Sequence, residues 1–142
     1  MLKNSKKGFT LIELLVVIAI IGILSSIVLS SLNSARDKGG DAAIKGDLSN
    51  IKNQALIFYD DNGNYGDDVQ TADDCASGMF SADSIISGAI AAAKAMSGPT
   101  AVATCFADDG DAALGTAATS WAVSVPLKTD PTHSWCIDST GV

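Results

Sequence analysis

From Phe9 to Leu32 the chain reads FTLIELLVVIAIIGILSSIVLSSL, twenty-four residues in which Glu13 is the only charge. A helix needs about 20 predominantly apolar residues to cross a hydrocarbon core ~30 Å thick, so this segment is long enough to span one. Lys3, Lys6 and Lys7 precede it without an acid, whereas Arg36 and Lys38 follow it with Asp37 between them. That asymmetry predicts a single pass, with the N-terminus in the cytoplasm and the rest outside. A secretory signal peptide would share the basic start and the apolar run, with small residues near Ser34 and Ala35 for a peptidase to cut. Its apolar region normally runs only about 7 to 15 residues. A carboxylate also costs about 2.5 to 3.5 kcal/mol at a helix centre on insertion scales, somewhat less nearer the interface. A carboxylate kept there needs a reason, and Glu13 is the only glutamate among sixteen acidic residues.

The stretch Lys6-Lys7-Gly8-Phe9-Thr10-Leu11-Ile12-Glu13-Leu14 resembles the processing motif of prepilins in the type IV pilin and type II secretion pseudopilin superfamily. The shared features are a short basic leader ending in Gly, an aromatic Phe, and Glu four residues later. The resemblance covers roughly the first thirty-five residues. It implies that a membrane peptidase, which is also an N-methyltransferase, cuts between Gly8 and Phe9 and that the new Phe9 amine is methylated. The cut falls before the apolar segment, which therefore stays in the mature protein. Cleavage would remove the three leader lysines, leaving six basic against sixteen acidic residues, net -10. It would also create an amino group with an ordinary pKa of about 7.7 to 8.0, one helical turn from Glu13. In low dielectric those two charges are costly alone and much cheaper paired. With helices stacked at an axial offset, the amine of one copy meets Glu13 of the next, which makes the segment both anchor and polymerisation core.

Beyond Leu32 the helical period continues. Ile44, Leu48, Ile51, Ala55 and Phe58 step by 4, 3, 4 and 3 along one face, with Lys45, Asp47, Asn50, Lys52 and Asn53 on the others. One helix is predicted from Phe9 to Tyr59, apolar all round in its first half and amphipathic in its second. Gly39-Gly40 and Gly46 each weaken it by roughly 1 kcal/mol relative to Ala, so a kink or frayed stretch is expected near 39 and 40. Asp60-Asp61-Asn62-Gly63-Asn64-Tyr65-Gly66 stops it with turn chemistry. That stretch resembles the Asn-Gly-x-Tyr-Pro exit of many pilins and pseudopilins, with Gly66 in place of Pro and so a less rigid exit expected. Residues 67–78 read as an acidic connector containing Cys75, and residues 79–96 as a short helix on the apolar positions Ile85, Ile86, Ala89, Ile90, Ala93 and Met96. Three strands are predicted over Thr100 to Ala107, Ser120 to Leu127 and Ser134 to Ser139, joined as an antiparallel meander.

The fold class is therefore α+β. Residues 1–8 form a removable leader, 9–32 a transmembrane and polymerisation helix, 33–59 its amphipathic half, and 60–142 an exported head whose small sheet covers the amphipathic face. A lollipop of long helix and small head is also what the resemblance implies.

Few other residues suggest chemistry. His133 is the only histidine, with Ser134 beside it and Asp130 near, but no nucleophile elbow accompanies them and the turn composition explains them better. The three cysteines lack a C-x-x-C pair, which excludes the usual zinc frameworks, and an exported head favours a disulfide. In a three-stranded meander Cys105 and Cys136 fall on outer strands about 9 to 10 Å apart, beyond the usual Cα range of about 4.4 to 6.8 Å. A Cys75–Cys105 bridge is therefore expected, with Cys75–Cys136 as the alternative. Asp108, Asp109 and Asp111 around Gly110 offer oxygen ligands on a loop, and some pilins and pseudopilins hold calcium in a loop of the head. The spacing lacks a full twelve-residue calcium loop with its closing Glu, so a solvated acidic loop is the preferred reading. The cluster Asp67, Asp68, Asp73 and Asp74 is read the same way.

No cofactor is implied, and the acidic balance argues against direct nucleic-acid binding, which needs clustered Lys and Arg. The expected function is a non-enzymatic structural subunit of a type IV pilus-like or type II secretion filament. Its implied partners are the prepilin peptidase, other copies and related pilin-like subunits, an inner-membrane assembly platform and the lipid bilayer. It would start in the cytoplasmic membrane and end in an extracellular or cell-envelope filament. The alternative is a single-pass, membrane-tethered extracytoplasmic binding module in which Glu13 is incidental. A secreted enzyme with a long signal peptide is disfavoured by the missing catalytic set.

Overall fold

The computed structural model describes residues 8–67, 75–110 and 116–141. Six elements follow in the order α1 (Leu11–Asn62), α2 (Met79–Ala82), α3 (Ser84–Ser97), β1 (Thr104–Asp108), β2 (Ser120–Pro126) and β3 (Ser134–Asp138). The chain divides into two units, Met1–Arg36 and Asp37–Val142.

The described part of the first unit is mainly the apolar start of α1. The large side chains of that helical stretch are all exposed, from Leu32 at 44% to Leu11 at 75%. The helix qualifies by length and composition as a membrane span.

In the second unit the period of α1 becomes a packing face. Ile44, Leu48, Ile51 and Ala55 are buried and Phe58 packs partly against them. The helix is unfrayed through Gly39 and Gly40, where a kink or a frayed stretch was expected. Gly40 is buried, and a Cβ on it would stand 3.0 Å from Lys128 Cδ and 3.7 Å from the Met96 carbonyl oxygen. Its lack of a side chain allows that close packing. The helix also runs to Asn62 rather than Tyr59, where Gly63 at φ 74 turns the backbone out of the helix and donates to the Tyr59 carbonyl at 2.7 Å. Gly66 stands where the resemblance has proline because at φ 96 it adopts a conformation closed to proline, and a Cβ there would sit 2.5 Å from Gly78 Cα.

The single helix expected over residues 79–96 is two. Asp83 is extended (φ -94, ψ 119) and closes the four-residue α2, while its side chain caps α3 by accepting from Ile85 N at 2.8 Å and Ile86 N at 3.0 Å. Gln54 of α1 donates to the other Asp83 oxygen at 2.8 Å, tying the start of α3 to the long helix. Ile86, Ile90 and Ala93 are buried, whereas Ile85, in the first turn, and Met96, in the last, face solvent.

The three strands form an antiparallel sheet in the order β1-β2-β3. β1 starts at Thr104, later than Thr100, because Ala101 N turns back onto the Gly98 carbonyl. Cys105, Val123 and Ile137 are in register across the sheet. They join Trp121, Val125, Met79 and Phe80 in one core with the α1 and α3 faces.

Candidate functional site

The first turn of any helix has backbone N–H groups without intrahelical partners. At the start of α1, Thr10 and Glu13 satisfy them reciprocally. Glu13 Oε2 accepts from Thr10 N at 2.8 Å and from the Thr10 hydroxyl at 2.7 Å, and Glu13 N donates to Thr10 Oγ1 at 3.3 Å. This is a capping box, and it fixes the helix start at Leu11 rather than Phe9. A carboxylate in the first turn is also favoured by the helix dipole. The arrangement holds one oxygen of Glu13 in place, while Oε1 has no donor among the described residues. Thr10 is the residue that sequence reasoning overlooked, although Thr-x-x-Glu ahead of an apolar run is its signature.

Gly8 and Phe9 lie just before this turn in non-helical backbone, and Phe9 is 81% exposed. Gly8 is not among the glycines with positive φ, and a Cβ on it meets nothing within 4 Å. The fold itself supplies no reason for glycine at position 8.

Cys75 and Cys105 are joined in a disulfide with Cα atoms 5.0 Å apart, closing the connector onto β1. Cys136 is free and exposed. It pairs with Ser124, one register step from the row of Cys105, Val123 and Ile137, so it faces the opposite side of the sheet. Burial, then the nearby Asp138 charge, pushes its thiol pKa up.

His133 and Asp130 form a local turn rather than part of a triad. His133 Nδ1 lies 2.6 Å from Asp130 Oδ2, the Thr132 hydroxyl donates to Asp130 Oδ1 at 2.6 Å, and Leu127 N donates to the His133 carbonyl at 2.9 Å. The Thr132 hydroxyl first, and His133 next, hold the Asp130 carboxyl below its ordinary range. Ser134 is not a partner of this group but begins β3, paired with Pro126. Asp108 turns its carboxylate back onto Gly110 N at 2.8 Å, and Asp111 lies outside the described residues. Among the described residues no three His, Cys, Asp or Glu side chains converge as a metal site. Of the other acidic cluster, Asp67 is exposed and forms a bridge with Ala117, while Asp68, Asp73 and Asp74 lie outside the described residues.

Residues 3–29 match the prokaryotic N-terminal methylation motif. The chain is 39% identical over 62 residues to the type IV wide pilus major component of Thermus thermophilus, covering 44% of this chain and 47% of that protein. It is 35% identical over 65 residues to the type II secretion system core protein G of Klebsiella michiganensis, covering 46% of each. With the type IV major alpha-pilin of Moraxella bovis it shares 48% identity over 46 residues, 32% of this chain and 29% of that one. The chain thus spans less than half the length of these curated relatives. No solved structure matches it.

Proposed function

We propose that the protein is a structural subunit of a type IV pilus-like or type II secretion filament, made as a membrane-anchored precursor and assembled through α1. The leader through Gly8 is removed by a prepilin peptidase, the Phe9 amine is methylated, and the mature chain begins two residues before the first residue of α1. The observation that carries this reading is the pairing of a methylation motif with a lone carboxylate held at the start of the apolar, exposed half of α1. Glycine at position 8, which the fold does not require, is then explained by the peptidase that must accommodate it.

The chemistry of assembly follows from Glu13. Thr10 holds Oε2, so the carboxylate is oriented before a partner arrives, and Oε1 is open to the Phe9 ammonium of a neighbouring copy. Pairing neutralises both charges inside an apolar bundle, where each alone would be costly. The related proteins come from both pilus and secretion systems, so the reading extends to filament subunit and not to one of those systems.

The test is Glu13→Val. Insertion becomes easier and cleavage should largely survive, but the Phe9 amine loses its partner, a loss that typically costs about 3 to 5 kcal/mol for a buried pair. Sheared filaments should lack the variant when it is expressed alone. Normal assembly of the variant with an intact Phe9 terminus would contradict the pairing role of Glu13.

A further inference from the structure

The head half of α1 carries Lys38, Lys45 and Lys52 at intervals of seven residues, which places them in one stripe along the helix. Lys38 and Lys45 are exposed and Lys52 is half-buried. The stripe borders β3 and the chain end: Lys45 Nζ stands 4.5 Å from the Trp135 ring centroid, and the Lys52 side chain lies against Gly141. Asp41, also on this flank, is taken up by the β2–β3 turn, accepting from Lys128 N at 2.7 Å and from Thr129 N at 3.2 Å and its hydroxyl.

Opposite charge gathers at the other end of the same unit. Asp60 and Asp61 lie in the last turn of α1, and Asp67 bridges to Ala117. Ala118 exchanges backbone hydrogen bonds with Tyr65 and Gly66, and Thr119 N donates to the Asp108 carbonyl, so Asp108 belongs to that end too. Asp60, Asp61 and Asp67 are exposed and Asp108 is half-buried. Among the described residues no salt bridge joins the lysine stripe to Asp60, Asp61, Asp67 or Asp108. The two patches are separated along the helix: from Lys45 to Asp61 is roughly 24 Å at ~1.5 Å per residue.

We propose that the lysine stripe of α1 docks a second copy of this chain through that copy's acidic end, Asp60, Asp61, Asp67 and Asp108. Two different, complementary patches make a head-to-tail contact, which repeats into an open helical assembly when its rotation does not close. An antiparallel two-fold pairing would match the same patches, but on the filament reading all copies are anchored through the same end of α1 and lie parallel, which leaves the displaced head-to-tail contact. An anionic lipid surface would attract the lysines but give the acidic end no partner, whereas a displaced second copy satisfies both. The inference rests on the filament reading and adds what sets the spacing of the heads.

The experiment uses the full-length chain in cells that carry the processing and assembly machinery, with sheared filament measured relative to the membrane pool. Asp60→Lys with Asp61→Lys, and separately Lys38→Glu with Lys52→Glu, should each lower filament yield by about tenfold, because like charges would meet across the contact. The four substitutions together should restore at least half of the wild-type yield. Filaments of the wild-type chain should also come apart more readily at high salt, as expected for pairs near the surface. Unchanged yield in either double variant would overturn the inference, as would loss in the lysine variant alone, the result a lipid contact gives. Failure of the fourfold variant to recover would overturn it too, since lost folding or a purely local role explains such a result. If processed wild-type chain forms no filament at all, the filament reading itself fails, an outcome distinct from each of these.

Discussion

The two halves of α1 use similar apolar residues for opposite ends. In the head half, Ile44, Leu48, Ile51 and Ala55 are at most 1% exposed, because α3 and the sheet of the same unit cover them. In the apolar half, Ile18, Ile21, Leu24 and Val28 are more than half exposed. A helix that is hydrophobic all round is stable only where something apolar surrounds it. The head half therefore reports on folding, and the apolar half, on the proposed filament reading, on membrane insertion and assembly.

Substitutions should separate the halves cleanly. Leu48→Ala should destabilise the head by about 2 to 5 kcal/mol, whereas Ile21→Ala should leave head stability within about 0.5 kcal/mol of wild type. Denaturant unfolding of the full chain in detergent, followed through Trp121 and Trp135 fluorescence, measures both. An equal loss in the two variants would break the comparison. Next in size is the disulfide, which spans 30 residues of sequence and on the chain-entropy account contributes about 3 to 4 kcal/mol. Reduction should lower the unfolding midpoint of the wild-type head and leave a Cys75→Ser, Cys105→Ser variant unaffected.

Smaller still is the cap on α3. Asp83→Ala should cost about 0.5 to 2 kcal/mol, the range for a lost N-cap, because Ile85 N and Ile86 N lose their acceptor. Burial pushes the carboxyls of Asp83 and Asp41 up, but their hydrogen-bond donors outweigh it and lower both. A carboxyl lowered in the folded state adds stability above its unfolded value of about 3.9 and loses it as pH falls through the folded value. Head stability should therefore be level at neutral pH and decline below about pH 4. Asp83→Ala should show a shallower decline in the same titration, and an identical slope would remove Asp83 from the account.

The sequence displayed features carried by local period and composition. The packing face of α1 is visible as apolar residues at steps of three and four, and the alternation of Trp121, Val123 and Val125 marks a strand with one buried face. Two caps were equally visible but needed the right question: Thr-x-x-Glu at Thr10, and an Asp before an apolar run at Asp83. What sequence could not display are contacts between residues far apart in the chain. Asp41 anchors a turn 87 residues away, and Gly40 is small because Lys128 and Met96 pack against it. Read locally, that glycine suggests a weak point in the helix, and only the partner reveals a packing requirement. Gly8, Phe9 and Glu13 stood out as candidates because they lie within six residues, whereas Thr10 between them was passed over until its hydrogen bonds to Glu13 were seen.

The central claim is that the apolar half of α1 is kept and presented from a new N-terminus. Intact-mass and N-terminal peptide analysis of the mature protein from its native membrane tests it most directly. The account predicts a chain that starts at Phe9 with a singly methylated α-amine. A protein that still begins at Met1, or one that begins near Ala35, would contradict it.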